Sequence, residues 1–262
     1  MTKILAVTNQ KGGVGKTTTS VNLSTALAAC GHKVLLIDFD PQGNASTGLG
    51  VTEFDRERNS YRLIAGLITL TEAICQTLVP GLDILPTTMD LSAAEIELSE
   101  LERREHRLKD ALEGARGHYD FVLIDCPPSL GLLTVNALVA ADRAIVPLQC
   151  EFYALEGLSQ LVRTINVVKQ NFNPALAIQG IVLTMYDSRN KLSDMVSHDV
   201  RDYFGALVYE TVIPRNVRVS EAPSFGQPVL MYDIKSTGAR AYAALAAELL
   251  NQEKQASNAK TG

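Results

Sequence analysis

Nine residues near the start of the chain, Gln10-Lys11-Gly12-Gly13-Val14-Gly15-Lys16-Thr17-Thr18, constrain the fold more than any other stretch. They follow Ile4–Thr8, an apolar run that reads as a buried strand, and lead into Thr17–Cys30, which reads as a helix with an apolar face. The glycines let the backbone curl so that successive N–H groups point inward at phosphate oxygens, and the following helix adds its positive N-terminal end. Lys16 has the reach for β- and γ-phosphates, and the Thr17 hydroxyl can sit on Mg²⁺. The spacing departs from the common G-x-x-x-x-G-K-[ST] pattern: Gln10 stands where the first glycine belongs, and a second lysine, Lys11, follows it. Lys11 is either a solvated surface lysine or a cation that serves a second subunit's phosphate, as an arginine finger acts in trans.

The rest of the chain supplies the sheet such a loop needs. Val34–Ile37, Phe121–Ile124, Ala144–Leu148, Ile178–Thr184 and Val208–Ile213 read as further strands, the first two short and polar-flanked as central parallel strands are. Helices are expected at 92–112, 130–140, 154–170, 192–204 and 236–251, with Ser92-Ala93-Ala94-Glu95 as a capping box. The predicted fold is α/β, a mostly parallel central sheet with helices on both faces and a phosphate loop at its edge. At 262 residues and 46% hydrophobic, the chain reads as a single domain over residues 1–252, with 253–262 a disordered polar tail. Residues 42–66 carry Gly43, Gly48, Gly50 and the charged run Glu53–Arg58, and read as surface connection.

Composition excludes several classes. The four cysteines (Cys30, Cys75, Cys126, Cys150) are far apart, which argues against a zinc ribbon, a close-paired cluster scaffold or a disulfide framework, and favours a cytoplasmic chain with reduced thiols. No stretch approaches the length of a membrane span, and Met1-Thr2-Lys3 runs straight into the first strand without room for a signal peptide. Net charge is −5, but residues 189–240 hold seven Lys and Arg against six Asp and Glu, so the C-terminal third can present either a local basic face or a mixed solvated surface.

Carboxylates follow two of the strands. Asp125 ends Phe121–Ile124, so it emerges at the carboxyl edge of the sheet, where ligands bind; it can serve Mg²⁺ through water or cap the next helix. Asp38 and Asp40 follow Val34–Ile37 two residues apart, on one side of extended backbone. Hydrolysis of a phosphoanhydride needs a group that orients water in line with the γ-phosphate, and either aspartate can supply it.

Lys11–Thr18 resembles the deviant Walker A loop of the ParA/MinD class of P-loop ATPases. The resemblance continues through Asp38-Phe39-Asp40-Pro41-Gln42-Gly43-Asn44, Asp125-Cys126-Pro127-Pro128-Ser129-Leu130-Gly131, Ile213-Pro214-Arg215-Asn216-Val217-Arg218 and Ser220-Glu221-Ala222-Pro223-Ser224, and covers about residues 3–250. It is nearest to the small ParA/Soj chromosome-partitioning ATPases. It implies ATP and Mg²⁺ as cofactors, Gly12, Gly13, Val14, Gly15, Lys16, Thr17 and Thr18 as the phosphate cradle, Thr17 and Asp125 on the metal, Asp40 orienting water, and Asp38 in a supporting role near Mg²⁺ or the loop lysines. It further implies adenine near Met185, Pro214 and Asn216, Lys11 acting across an ATP-sandwich homodimer, and Glu151, Ala154 and Gly157 at that dimer surface.

Relatives that share the loop carry different cargo. MinD-like members resemble this chain but end in a membrane-binding amphipathic helix. Here Ala243–Leu250 is alanine-rich and a polar stretch without a basic-apolar stripe follows, so no membrane is expected. The small ParA/Soj type resembles a non-specific binder of double-stranded DNA, associated with the nucleoid and released when a ParB-like partner stimulates hydrolysis. Arg201, Arg218, Lys235 and Arg240 are the expected DNA contacts. The alternatives are a ParA-like positioner of another cargo, a MinD-like membrane ATPase, or a nucleotide-gated regulator.

Overall fold

The computed structural model describes residues 2–261. Its strands are β1 (Lys3–Val7), β2 (Val34–Asp38), β3 (Cys75–Gln76), β4 (Leu82–Leu85), β5 (Phe121–Asp125), β6 (Arg143–Gln149) and β7 (Ala177–Thr184). They form one sheet in the order β3-β4-β2-β5-β1-β6-β7, parallel except for the antiparallel edge pair β3-β4. The longer helices are α1 (Lys16–Ala29), α2 (Leu132–Ala140), α3 (Ala154–Asn171), α4 (Lys191–Phe204) and α5 (Thr237–Thr261).

Alternation along the central strands builds two cores. Ile4 and Ala6, Leu35 and Ile37, and Val122 and Ile124 face one side, where α2 and α3 pack. Leu5 and Val7, Val34 and Leu36, and Phe121 and Leu123 face the other, against α1 and the Tyr242, Leu245 and Leu249 stripe of α5. Because both faces are covered, every residue of β2 and β5 is buried, which is why these strands read as continuous apolar runs. The register sets Val7 beside Asp125 and Asp38 beside Asp125, so three strand ends open at one edge.

Five expectations need correction. Residues 92–112 do not form one helix: Leu91–Glu97 gives way to short turns, Arg103 is left-handed at φ 54°, and the helix resumes at Arg107–Ala111. Asn136 of α2 holds the break open, donating to the Arg104 carbonyl and accepting from the Leu108 N–H. Ser92 lies inside its helix, whose cap position is Asp90 and carries no side-chain cap, and Glu95 turns away to pack over Gly131. Val208–Ile213 is not a strand. Only the Tyr209 and Ile213 N–H groups reach β7, while those of Glu210 and Thr211 donate to the Glu248 carboxylate on α5. Residues 42–66 are more ordered than a connection and contain the helical turns Asn44–Gly48 and Ser60–Ile64. Finally, α5 continues to Thr261 through the stretch read as a tail, because Gln, Glu, Lys and Ala favour helix without any apolar stripe, and Glu253 pairs with Lys3.

Candidate functional site

The chain leaves β1 at Val7 and turns through Gly13 and Gly15, both left-handed at φ 74° and 86°, before α1 begins at Lys16. A Cβ at Gly13 or Gly15 would be strained whatever the room, so glycine is what allows the loop to curl. Thr184 at the end of β7 buttresses the loop by donating to the Val14 carbonyl at 2.8 Å. Lys16 is 6% exposed and its Nζ donates to the Lys11 carbonyl at 3.0 Å, across the mouth of the loop. Burial holds its ammonium below the usual lysine pKa, against the opposing pull of Asp125, Cys126 and Asp40.

Behind the loop the two adjacent strand ends bring Asp38 and Asp125 abreast, both fully buried. Asp125 Oδ1 accepts from the Ser20 hydroxyl at 2.8 Å, while its Oδ2 has no partner. Asp38 Oδ2 accepts from both the N–H and the hydroxyl of Ser46 at 2.7 Å, while its Oδ1 has none. Burial, reinforced by the neighbouring Asp38, pushes Asp125 up to about 8 despite the opposing pull of the Ser20 and Thr17 hydroxyls. Burial likewise pushes Asp38 up to about 6, with Ser46 pulling the other way and Asp40 adding to the rise. Two carboxylates with one open oxygen each are arranged to share positive charge.

Asp40 lies two residues beyond β2, and its Oδ1 accepts from the Gln42 N–H at 3.1 Å. It faces a cleft of about 440 Å³ lined also by Gly12, Gly13, Gly15, Lys16, Thr17 and Thr18. The opposite wall comes from the C-terminal third: Met185, Pro214 and Asn216 all line the same cleft. The Tyr186 N–H bonds the Ile213 carbonyl and the Arg215 N–H returns to the Tyr186 carbonyl, which binds the two segments of that wall together. Met185 takes a left-handed φ of 49° there. The Asn216 amide donates to the Thr237 hydroxyl at 2.7 Å, so the start of α5 fixes its orientation.

The remaining expected residues lie elsewhere. Val14 is buried beneath the loop, and Asp38 and Asp125 sit below the cleft rather than on its wall. Lys11 does not line the cleft: its ammonium pairs with the Glu151 carboxylate just past β6, and both side chains are more than a third exposed. Arg201 on α4 donates to the Tyr209 and Glu210 carbonyls, which ties down the segment after α4. Arg218 pairs with Glu221 and Asp233, which brings it to the corner that carries Lys235. Lys235 and Arg240 are exposed, and neither side chain has an ion pair among the described residues. Ser20 and Ser46 are the site residues that sequence reasoning missed. The available signal for Ser20 was its position four residues past Lys16, on the same helix face.

These residues fit a magnesium nucleotide. The orphaned Asp125 oxygen beside the Thr17 hydroxyl is the hard-oxygen donor set that Mg²⁺ takes together with waters and phosphate oxygens. Among the described residues no three His, Cys, Asp or Glu side chains form a metal cage, and Mg²⁺ in phosphate sites uses no such cage.

A family model described as an AAA domain (AAA_31) matches residues 2–178. The chromosome partitioning protein ParA of Caulobacter vibrioides is 60% identical over 254 residues, 96% of this chain and 95% of that protein. The sporulation initiation inhibitor protein Soj of Bacillus subtilis is 53% identical over 249 residues, 95% of this chain and 98% of that protein. Among solved structures, cobyrinic acid a,c-diamide synthase of Mycobacterium smegmatis with bound ADP and magnesium superposes with a TM-score of 0.86 at 41% identity, covering 97% of this chain and 96% of that one. The septum site-determining protein MinD of Pyrococcus horikoshii, complexed with Mg-ADP, superposes at 0.79 with 30% identity over 95% and 96%.

Proposed function

The chain belongs to the ParA/Soj chromosome-partitioning family, and from that premise we propose how its ATPase works: ATP closes two copies into a dimer that holds DNA non-specifically, and hydrolysis, stimulated by a ParB-like partner, releases it. The convergence of Lys16, Thr17 and Asp40 on one cleft carries the reading. In it, the loop N–H groups and the Lys16 ammonium take the phosphate oxygens, while Met185, Pro214 and Asn216 flank the base. Thr17 and Asp125 would hold Mg²⁺, which would supply positive charge against the charge building on the transferring phosphoryl group. Asp40, with one oxygen fixed by the Gln42 N–H, uses the other to orient a water in line with the γ-phosphate. As the water oxygen bonds to phosphorus, the bond to the β-phosphate bridging oxygen breaks, ADP leaves, and the water's proton passes to the oxygens of the phosphate that forms. Asp38, anchored by Ser46 and below the cleft, adds negative charge for the cation beside Asp125 rather than acting on the water.

Lys11 supplies the dimer link. Its pair with Glu151 is exposed, and such pairs contribute at most about 1 kcal/mol, so Lys11 can exchange that carboxylate for a partner's phosphate at little cost. Arg218, Lys235 and Arg240 supply the DNA face, with sequence-independent phosphate contacts that double on dimerisation. Arg201 contributes by holding the 208–213 segment in place. Among the described residues no helix is long and apolar enough to cross a membrane. Co-sedimentation with linear DNA and with anionic liposomes, with and without ATP, tests the reading. ATP-dependent pelleting with DNA and not with liposomes is expected. Liposome binding, or DNA binding indifferent to nucleotide, would overturn it.

A further inference from the structure

Ser20 is fully buried on α1 and its hydroxyl lies within reach of two acceptors: Asp125 Oδ1 at 2.8 Å and the Lys16 carbonyl at 3.1 Å. A hydroxyl has one proton to give, and a serine inside a helix ordinarily gives it to the carbonyl four residues back. Thr25 on the same helix does so, to Val21 at 2.8 Å. At Ser20 the shorter contact is to the carboxylate, and that bond becomes charge-assisted and stronger once a cation holds Asp125 ionised. The contact crosses from α1 to β5, so it joins the turn that carries Lys16 directly to the strand end that carries Asp125.

We infer that Ser20 is a positioning residue for the metal carboxylate: by occupying Oδ1 it leaves Oδ2 of Asp125, buried and otherwise unpartnered, as the one oxygen available to the cation and its waters. The inference rests on the reading of Asp125 as the Mg²⁺ residue. Groups that orient a metal ligand from behind commonly carry a 10- to 100-fold share of metal affinity. Ser46 holds Asp38 in a similar way, but half of that hold is a backbone N–H that no side-chain substitution removes.

The test is binding of a fluorescent ATP analogue in EDTA and across a Mg²⁺ series, for wild type, Ser20→Ala, Asp125→Ala and the double variant, with Thr25→Ala as a buried-hydroxyl control. Ser20→Ala should bind as wild type in EDTA yet need roughly 10-fold more Mg²⁺ to reach full affinity. The double variant should be no worse than Asp125→Ala, because Ser20 acts through that carboxylate. Thr25→Ala should match wild type. A wild-type Mg²⁺ dependence in Ser20→Ala, beside a shifted one in Asp125→Ala, overturns the role of Ser20. Equal loss with and without Mg²⁺ also overturns it, since that marks a structural residue. If Asp125→Ala itself leaves the Mg²⁺ dependence unchanged, the metal assignment of Asp125 falls and the inference with it. Should Ser20→Ala not fold, Ser20→Cys, which keeps the volume with a weaker donor, is read in the same way.

Discussion

Replacing Lys16 by alanine separates binding from folding, and the structure fixes the size of each effect. Among the described residues the Lys16 ammonium makes one hydrogen bond, to the Lys11 carbonyl at 3.0 Å, in a position that is 6% exposed. Losing that bond costs about 1 kcal/mol, while removing a cation disfavoured by burial offsets it, so stability should move by no more than about 1 kcal/mol. With ATP bound, the same ammonium should make charge-assisted contacts to phosphate, worth about 2 to 3 kcal/mol. At 1.4 kcal/mol per tenfold that is roughly a 30- to 150-fold loss of affinity. Isothermal titration with a slowly hydrolysed ATP analogue reads the affinity, and a thermal melt reads the fold; Lys16→Met, which keeps the aliphatic stem, should behave alike in both. An affinity within about threefold of wild type in a folded variant would refute the assignment of Lys16 to phosphate.

Asp40→Ala should bind ATP and dimerise but hydrolyse very slowly, since it loses only the group that orients water; a wild-type rate in a phosphate-release assay would hand that role to another residue. Arg218→Ala or Lys235→Ala should weaken binding to all DNA sequences alike and lower the slope of log affinity against log salt by about 0.9 per lost contact, while ATP binding stays unchanged. Sequence-selective loss would contradict a surface that tracks the backbone. The pH dependence of the nucleotide-free protein follows from Asp38 and Asp125, whose folded values of about 6 and about 8 lie above the ordinary carboxylate range. Raised values mean that the folded state keeps protons which the unfolded chain gives up. The stability these groups contribute is therefore fullest below about pH 4 and is lost as pH rises through 6 and 8. Thermal melts in EDTA should show this fall, and Asp125→Asn should flatten it; superimposable pH profiles would contradict the buried pair.

The phosphate loop and the central strands were legible because their information is contiguous. Glycines next to Lys16 and Thr17 state the turn and its ligand together, and a strand buried on both faces needs nothing but the unbroken apolar runs Val34–Ile37 and Phe121–Ile124. Elements decided by a distant partner were not legible. Val208–Ile213 has strand composition, yet its middle amides are taken by Glu248, some forty residues on. The break after Glu97 is held by Asn136, and the capping role read for Ser92 and Glu95 gave way to packing over Gly131. β4 escaped notice because Leu82–Leu85 is four residues long with Asp83 inside it, and Asp83 is taken up by the Tyr119 hydroxyl. At the site, Lys16 and Thr17 were singled out by type and spacing and Asp40 by the family resemblance, and all three line one cleft. Ser20 and Ser46 did not, since a buried serine becomes informative only when the carboxylate it meets is known.

In the proposed cycle the dimer is the step that links ATP to DNA, and Lys11 is the residue on which that proposal turns. Light scattering after size-exclusion chromatography, on wild type and Lys11→Ala, each with and without Mg²⁺ and a slowly hydrolysed ATP analogue, measures it directly. Two bound nucleotides facing each other repel unless cations intervene, and in the proposed dimer Lys11 from each copy supplies them once it leaves Glu151. Wild type should pass from monomer to dimer on adding nucleotide, while Lys11→Ala binds nucleotide and stays monomeric. A Lys11→Ala protein that dimerises on nucleotide as wild type does would show that Lys11 serves only its own surface, and would contradict the account.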